Sequence, residues 1–331
     1  MKISCFTMLL NRDCPRKCPQ CNVRNGTGSM NAQQWKEALQ IIKTEFDSDF
    51  LLFYGCEPLL MGQDLVDIIE FLTNKEWSYG LYSSSPEPHF TQWIDRLIEV
   101  GLNNWSSGLD GLPDTWDMDA ITTQKVEEVI TGLQYVADRG LQTHIVTTIH
   151  KKNLHYVCDI IRWCQANIKD AQNTVNFIEW SSDPLFDFAS MKSNMGSIVW
   201  DGTDEEREEV RQVMSDIYDL SREPGMVVQT SDAYLKNAPD FYDKLDRHCE
   251  GLTGLGMDAD GSLRVCGYRL GSELRKYTIF DIPSRKSEIL ELWRQELAQC
   301  DGCYWALKDI VMEGDQIYHP QSGYLASRWS K

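Results

Sequence analysis

The chain has 331 residues, of which 42% are hydrophobic and 25% charged, and its formal net charge is −18 at pH 7. This composition is typical of a soluble globular protein, and the acidity argues against broad binding to nucleic acid or anionic membranes. No apolar run reaches the length of a membrane span, and "MKISCFTMLLNRDC" lacks a signal-peptide cleavage site, so a cytoplasmic location is expected.

About six strand–helix units are predicted in the first half of the chain. Residues 2–10 are predicted to form a strand, which a cysteine-containing loop follows. Residues 29–46 are predicted to form a helix with Ser29 as its N-cap. Strands and helices then alternate with short connections from "DFLLFYG" to "TVNFIEW". This alternation implies a parallel sheet or an open barrel of TIM type.

The pattern changes after about residue 180. "TDEEREEVRQVMSDIYDLSRE" predicts an acidic helix whose charges form a solvated face. "LGMDADGSLRVCGY" predicts a β-hairpin around the "DADG" turn, and "SEILELWRQELAQ" predicts a helix. The predicted organisation is a barrel over 1–185, a linker with the acidic helix over 186–244, a cysteine-bearing module over 245–310 and a tail over 311–331.

Three cysteines lie close together in the loop "CPRKCPQC" after the first predicted strand: Cys14, Cys18 and Cys21. Eleven cysteines in a cytoplasmic protein, seven of them clustered, favour metal ligation over disulfides. Three thiolates can hold three corners of a [4Fe–4S] cluster and leave the fourth iron open. The alternative is a zinc loop that a distant cysteine or histidine completes.

The spacing of these cysteines resembles the CxxxCxxC motif of the radical S-adenosylmethionine (SAM) superfamily. The resemblance implies that SAM chelates the open iron through its amino and carboxylate groups. It also implies that reduction cleaves SAM to methionine and a 5′-deoxyadenosyl radical, which abstracts hydrogen from a substrate. Gln20 departs from the family, where an aromatic residue usually precedes the third cysteine, but the change removes no ligand.

Residues 54–60, "YGCEPLL", resemble the GGEP motif at the end of the family's second strand. The resemblance implies that Gly55 and Glu57 hold the SAM amino group, with Cys56 in place of the second glycine. A positive φ at Cys56 would strain the residue; otherwise it is a small buried side chain. A redox or hydrogen-donating thiol at Cys56 is the alternative to inert packing.

Further candidate SAM contacts lie at the ends of the third and fourth predicted strands. "YSSS" contains Ser84, where the family often has a Ser/Thr-Asn-Gly turn, although the run would also serve as a turn or N-cap. "SSGLDG" resembles the family's S-x-D-G stretch, which makes Ser107 or Ser106, together with Asp110, candidates.

Polar residues on the fifth and sixth predicted strands are candidates for a substrate pocket. His144 and His150 share one face of a strand, and Asn176 lies in "VNFIEW". Alternation does not separate inward from outward positions here, because both faces of a barrel strand are buried. Cys158 and Cys164 lie on a predicted outer helix and are expected to pack in the core.

Four more cysteines lie in the C-terminal part: Cys249, Cys266, Cys300 and Cys303. Four thiolates complete either a closed zinc site or a fully ligated [4Fe–4S] cluster, and spacing does not choose between them. Their order around a hairpin and a helix, after a barrel, resembles the twitch module, the short form of the SPASM domain. The resemblance implies one auxiliary [4Fe–4S] cluster, which would accept an electron from a substrate radical, relay electrons or shape the pocket.

Basic residues crowd the first cysteine loop: Arg12, Arg16, Lys17 and Arg24. One interpretation is a solvated surface, or cations that offset the charge of a cluster. The other is a docking patch for an acidic electron donor such as flavodoxin or ferredoxin.

The sequence therefore predicts an α/β fold, with a partial (β/α)6 TIM-like barrel followed by a small α+β twitch-type iron–sulfur module. The expected function is a radical SAM oxidoreductase that modifies a peptide, with a small-molecule (amino-sugar or cyclitol) dehydrogenase as the alternative. The first strand starts at the N-terminus without a preceding leader-binding domain, which weakens the peptide interpretation. A non-catalytic zinc or electron-transfer protein is the competing hypothesis from another class.

Overall fold

The computed structural model of the chain describes residues 5–16, 18, 28–46, 48, 50–113, 126–177, 200, 203–237, 254–265 and 272–299. The strands are β1 (Cys5–Leu9), β2 (Phe50–Tyr54), β3 (Tyr79–Leu81), β4 (Asn104–Gly108), β5 (Gln142–Ile149), β6 (Gln172–Phe177), β7 (Gly254–Met257) and β8 (Leu263–Arg264). The α-helices are α1 (Ala32–Phe46), α2 (Gln63–Asn74), α3 (His89–Glu99), α4 (Val126–Asp138), α5 (Val157–Asn167), α6 (Asp204–Leu220), α7 (Asp232–Asn237) and α8 (Ile282–Ala298).

The strands form two sheets, ordered β3-β2-β1-β7-β8 and β4-β5-β6, in which only β8 runs antiparallel to its neighbour. Within the described part of the chain, a bridge between Tyr82 and Ser106 links them. Where the two sheets meet, the Asn104 side chain takes the place of backbone hydrogen bonds between β3 and β4. Its amide donates to the Tyr79 carbonyl at 2.8 Å and accepts from the Leu81 N–H at 3.1 Å. The described strands β1 to β6 therefore follow one another in an open, barrel-like order, which confirms the predicted partial (β/α)6 barrel.

The main hydrophobic core lies between the outer side of the sheet and the helices. This core includes Phe6 and Met8 of β1, which alternate along the strand with Thr7. It also includes Trp35 and Leu39 of α1, which lie at helical spacing. Residues of the opposite parity project from the other side of the sheet, which we call the inner face. In a TIM-type barrel, side chains at this face and the loops at the carboxyl ends of the strands build the site.

The N-terminus of α1 differs from the prediction. Asn31, and not Ser29, caps the helix, since its side-chain oxygen accepts from the Gln34 N–H at 3.0 Å and the Gln34 side chain accepts from the Asn31 N–H at 3.1 Å. This reciprocal pair requires a residue directly before the first helical turn, which begins at Ala32. The hydroxyl of Ser29 lies too early in the chain for that geometry.

A second core contains α5, α6 and β6. The acidic helix α6 buries an apolar stripe there that includes Val210, Met214 and Ile217, while its first turn is acidic and capped by Thr203. Cys164 is fully buried in the main core, and Cys158 packs against the second one. The prediction that both cysteines serve packing is consistent with these positions.

The predicted C-terminal hairpin is present as β7 and β8. Its turn places Gly261 at a φ of +86°, a conformation that favours glycine. β7 pairs in parallel with β1, from Cys5 opposite Gly254 to Met8 opposite Met257. The start of the predicted C-terminal module is thus a strand of the barrel sheet. None of the described helices is long and apolar enough to cross a membrane.

Candidate functional site

The cysteine loop begins directly after β1, at the carboxyl end of the sheet. Cys14 and Cys18 are partly exposed on it, and the backbone N–H of Arg16 points to the Cys14 sulfur at 3.4 Å. The third cysteine of the motif lies outside the described residues, as do the four C-terminal ones: Cys21, Cys249, Cys266, Cys300 and Cys303. Among the residues that the structure describes, no group of three or more metal-ligating side chains is assembled. Two accessible thiols on one short loop fit a thiolate-ligated cluster that Cys21 would complete.

Glu57 is the most heavily hydrogen-bonded acid of the site. It lies just after β2 and has no exposed surface. Its Oε1 accepts from the Leu59 N–H at 3.1 Å and the Ser83 hydroxyl at 2.7 Å, and its Oε2 accepts from the N–H and hydroxyl of Ser84 at 2.9 and 2.7 Å. Burial raises the pKa of Glu57, and these hydrogen bonds oppose the rise. The carboxylate therefore joins the end of β2 to the turn after β3.

Asn11 ties the backbone of Glu57 to the start of the cysteine loop. Its side-chain amide donates to the Glu57 carbonyl at 2.7 Å and accepts from the Glu57 N–H at 3.2 Å. Gly55 approaches the same segment, and a Cβ on it would lie 3.1 Å from the Leu10 nitrogen and 3.3 Å from the Asn11 nitrogen. Both are main-chain atoms, so this position requires glycine because of close packing and not because of its φ.

Cys56 does not adopt a positive φ. The cysteine in place of the second glycine of the motif therefore carries no left-handed strain. Its N–H donates to the Asn11 carbonyl at 3.3 Å, so the backbone at this position also supports the junction between β2 and the cysteine loop.

Arg16 anchors the middle of the cysteine loop. Its side chain is 6% exposed, and Nη2 contacts Glu128 Oε2 on α4 at 2.7 Å and the Ser84 carbonyl at 3.2 Å. Arg12 in turn pairs with the buried Asp258 after β7. Two of the four basic residues are thus engaged inside the protein, while Lys17 and Arg24 lie outside the described residues.

Two candidate SAM contacts, the half-buried Ser84 after β3 and the buried Ser107 on β4, belong to this network. Ser84 binds Glu57, and the hydroxyl of Ser107 donates to the Ser83 carbonyl at 2.7 Å. Sequence reasoning missed Asn11 and Ser83, since an asparagine after a strand and one serine among three carry no signal of their own. A role for either emerges only from its pairing with Glu57.

Asp110 forms a second polar cluster, beyond the end of β4. Its Oδ1 accepts from the Thr148 N–H at 2.7 Å, and burial raises its pKa to about 7. The Asn153 side chain connects Asp110 to the segment after β5. Its Nδ2 donates to the Asp110 carbonyl at 3.0 Å, and its Oδ1 accepts from the His150 N–H at 2.8 Å. Burial lowers the pKa of His150 to about 4, so its imidazole is neutral near pH 7.

The buried Asp110 predicts a pH-dependent stability. Between its ordinary pKa of 3.8 and about 7, the native state holds a proton that the unfolded state has released, so Asp110 lowers stability as the pH rises through this range. Asp110→Asn keeps the acceptor for Thr148 and removes the charge. The gain in unfolding free energy should grow from near zero at about pH 4 to at most about 4 kcal/mol at about pH 8.

Urea unfolding of both proteins across this pH range measures the effect. The difference between variant and wild type is the quantity to follow, because the buried His144 and His150 titrate in the same range with the opposite sign. A difference that does not change with pH would contradict the prediction.

The inner face of β5 and β6 is polar. His144 Nδ1 lies 3.3 Å from the Tyr82 hydroxyl, and its Nε2 lies 2.7 Å from the Thr174 hydroxyl. Asn176 has the same parity as Thr174, while Val175 and Phe177 between and after them belong to the second core. The structure therefore resolves what alternation left open: His144 and Asn176 project from the inner face.

Comparisons with known proteins give a consistent picture. The family model described as Radical SAM superfamily matches residues 8–164. The AdoMet-dependent heme synthase of Nitratidesulfovibrio vulgaris is 25% identical over 163 residues, which cover 47% of this chain and 43% of that protein. The enzyme of the same name from Oleidesulfovibrio alaskensis is 24% identical over 163 residues, 47% of this chain and 41% of that protein. The match thus spans less than half the length of either relative.

Two solved structures share the fold over most of the chain. Streptococcus suis SuiB bound to S-adenosylmethionine has a TM-score of 0.65 at 14% identity, covering 85% of this chain and 65% of that one. Native anSMEcpe with bound AdoMet and Cp18Cys peptide has a TM-score of 0.60 at 12% identity, covering 88% of this chain and 80% of that one. The family match, together with the cysteine loop after β1 and the buried Glu57 after β2, leads to one assignment: residues 8–164 of this chain form a radical SAM domain.

Proposed function

We propose that this protein is a radical SAM oxidoreductase that abstracts hydrogen from a peptide substrate. The observation that carries the proposal is the network that joins the cysteine loop to Glu57. Arg16 reaches from the loop to Ser84, Ser84 donates twice to Glu57, and Asn11 binds the Glu57 backbone. Such a network would hold two thiolates and one carboxylate in a fixed relation, which a zinc loop or an electron-transfer site does not need.

In this proposal Cys14, Cys18 and Cys21 hold the catalytic [4Fe–4S] cluster. The cluster, with SAM bound, supplies a 5′-deoxyadenosyl radical on reduction. Glu57 would meet the SAM amino group, with Gly55 and Cys56 shaping the turn beside it. Because four donors already occupy the Glu57 oxygens, an ammonium group would have to share them or displace a serine hydroxyl. Ser84 and Ser83 would then act mainly as positioning residues.

The oxidoreductase assignment depends on the C-terminal cysteines. We propose that Cys249, Cys266, Cys300 and Cys303 hold one auxiliary [4Fe–4S] cluster in a twitch-type module. An electron acceptor within the same chain would make the overall reaction a two-electron oxidation, which means a dehydrogenation or a cross-link. Support comes from the hairpin β7–β8, which occupies the position between the first two of these cysteines.

A peptide is the first candidate substrate. Two structures with the same fold were solved with peptides, SuiB with its precursor peptide SuiA and anSMEcpe with Cp18Cys. A small molecule is the second candidate, because the curated relatives are named heme synthases and the inner face carries neutral polar groups such as His144 and Thr174. An acidic flavodoxin or ferredoxin in the cytoplasm is the proposed electron donor.

The test uses anaerobically purified and reconstituted full-length protein. Iron and sulfide are quantified, and 5′-deoxyadenosine is followed after SAM and dithionite are added. About eight irons per chain and SAM cleavage are expected for two cubane clusters. Cys18→Ala serves as the control that should lose cleavage and about half of the iron. Zinc in place of iron, without cleavage, would reject the proposal in favour of a non-catalytic metalloprotein.

A further inference from the structure

Three residues lie side by side across the strands β1, β7 and β8. Thr7 is paired with Gly256, and Gly256 is paired with Arg264. Directly paired residues project from the same face of a sheet, and the flanking Met8 and Leu263 belong to the outer core. The side chains of Thr7 and Arg264 therefore share the inner face, about 10 Å apart at two strand spacings, and glycine leaves the position between them without a side chain.

Both polar side chains of this row are buried with unused hydrogen-bonding atoms. Arg264 has no exposed surface, and its Nη2 donates to the Tyr54 hydroxyl at 2.6 Å and the Met257 carbonyl at 3.3 Å. Among the residues that the structure describes, its Nε and Nη1 have no hydrogen-bond partner, nor does the hydroxyl of Thr7. Buried groups of this kind are normally paired, and a guanidinium left half-satisfied signals a missing acceptor.

The charges around Arg264 point to the same conclusion. The nearby carboxylate is Asp258, which is itself buried, and the positive charges of Arg264 and Arg12 lower its pKa. Arg12 binds both Asp258 oxygens, and Arg275 approaches one of them at 3.2 Å. The Asp258 oxygens are thus engaged by Arg12 and Arg275, and neither oxygen hydrogen-bonds Nε or Nη1 of Arg264.

We propose that Arg264 and Thr7 form a binding site for a carboxylate group of a ligand held on the inner face. Nε and Nη1 of Arg264 are the two donors left for such a group, and the Thr7 hydroxyl adds a third across the gap at Gly256. The ligand carboxylate belongs either to the substrate or to the methionyl part of SAM. In that sense the inference rests on the proposed function, although carboxylate binding itself requires no SAM cleavage.

The experiment follows thermal unfolding of the reconstituted full-length protein in sodium acetate against sodium chloride at constant ionic strength. A ligand that binds only the native state raises the melting temperature with a saturable concentration dependence. We expect acetate to do so for the wild type, and the half-saturating concentration to rise about tenfold or more in Arg264→Gln. Arg264→Lys should be intermediate, because it retains the charge without the fork of donors.

Two further variants keep the test decisive. Thr7→Val preserves shape and charge and should weaken the acetate response, even if Arg264→Gln does not fold. Arg275→Gln removes a positive charge from the same Asp258 ion pair and should respond as the wild type does. An equal loss in Arg275→Gln would overturn the proposal, since the effect would then be general electrostatics.

Saturating SAM distinguishes the two sources of the carboxylate. If the acetate response persists with SAM bound, the site takes a substrate carboxylate. If SAM abolishes the response and Arg264→Gln weakens SAM binding in equilibrium dialysis by a similar factor, the site takes the SAM carboxylate. Absence of any saturable acetate response overturns the proposal. An altered cluster absorption spectrum in Arg264→Gln would then assign the guanidinium to the C-terminal metal site.

Discussion

Glu57→Ala is expected to abolish SAM cleavage and to destabilise the protein. The substitution removes one carboxylate that accepts hydrogen bonds from Leu59, Ser83 and Ser84, and the donors of Leu59 and Ser83 that lose this acceptor are buried. We expect the free energy of unfolding to fall by about 3 kcal/mol and 5′-deoxyadenosine formation to fall at least about 100-fold. Urea unfolding and product quantification with dithionite measure the two effects.

Glu57→Gln is the matched control for this prediction. Glutamine keeps the size and one carbonyl oxygen, but its NH₂ group would face the donors of Ser83 or Ser84. Stability should therefore fall less than in Glu57→Ala, while SAM cleavage should still be lost because the negative charge is gone. Turnover at the wild-type level in both variants would show that Glu57 is structural, and the role proposed for it would have to be abandoned.

Arg16→Ala is expected to release the cysteine loop from the barrel. Arg16 connects the loop to Glu128 on α4 and to the Ser84 turn, and its side chain is 6% exposed. Breaking this pair removes one ionic partner of Glu128, whose side chain is 17% exposed. We expect the unfolding free energy to fall by about 2–4 kcal/mol, and iron incorporation during reconstitution to decrease.

Arg162→Ala provides the comparison, because its ion pairs with Asp159 and Glu223 are long, at 3.6 and 3.8 Å, and about half exposed. An exposed ion pair of this kind contributes about 0.5 kcal/mol or less to the free energy of unfolding. Arg162 lies on α5, away from the cysteine loop. Iron per chain and urea midpoints are measured for both variants. Equal behaviour of the two would mean that the contacts of Arg16 contribute no more to stability and iron incorporation than an exposed ion pair does.

Local pattern was sufficient for most of the fold. Local sequence in residues 29–46 predicted α1, and the "DADG" turn predicted the hairpin β7–β8, since each signal lies within a short stretch of chain. What pattern did not reveal is that β7 lies beside β1. The pairing of β7 with β1 joins parts of the chain that are distant in sequence, as the contact between Arg12 and Asp258, 246 residues apart, shows.

The candidate site likewise contains residues that the sequence predicted and residues whose role only the structure reveals. Glu57 and the cysteines were predicted because a short motif carries them, whereas Asn11 acquires its role through a partner 46 residues away. A run of basic residues does not reveal which of them find acidic partners. The sequence therefore leaves Arg12 and Arg16 as part of a surface patch or as cations that balance a cluster. The sequence did not single out Arg264, since only the pairing of three strands places it in one row with Gly256 and Thr7.

The pairing of β1 with β7 has a consequence for how the chain matures. β1 is made before the other described strands, yet one of its two edges stays open until the segment at 254–257 has left the ribosome. Closing so long a loop is slow, and an open apolar edge such as "CFTML" invites pairing with other chains in the meantime. Arg12, two residues before Cys14, meets Asp258 only when β7 docks. The cysteine loop should thus reach its final form late, so a nascent chain that stops short of β7 should aggregate and incorporate iron poorly.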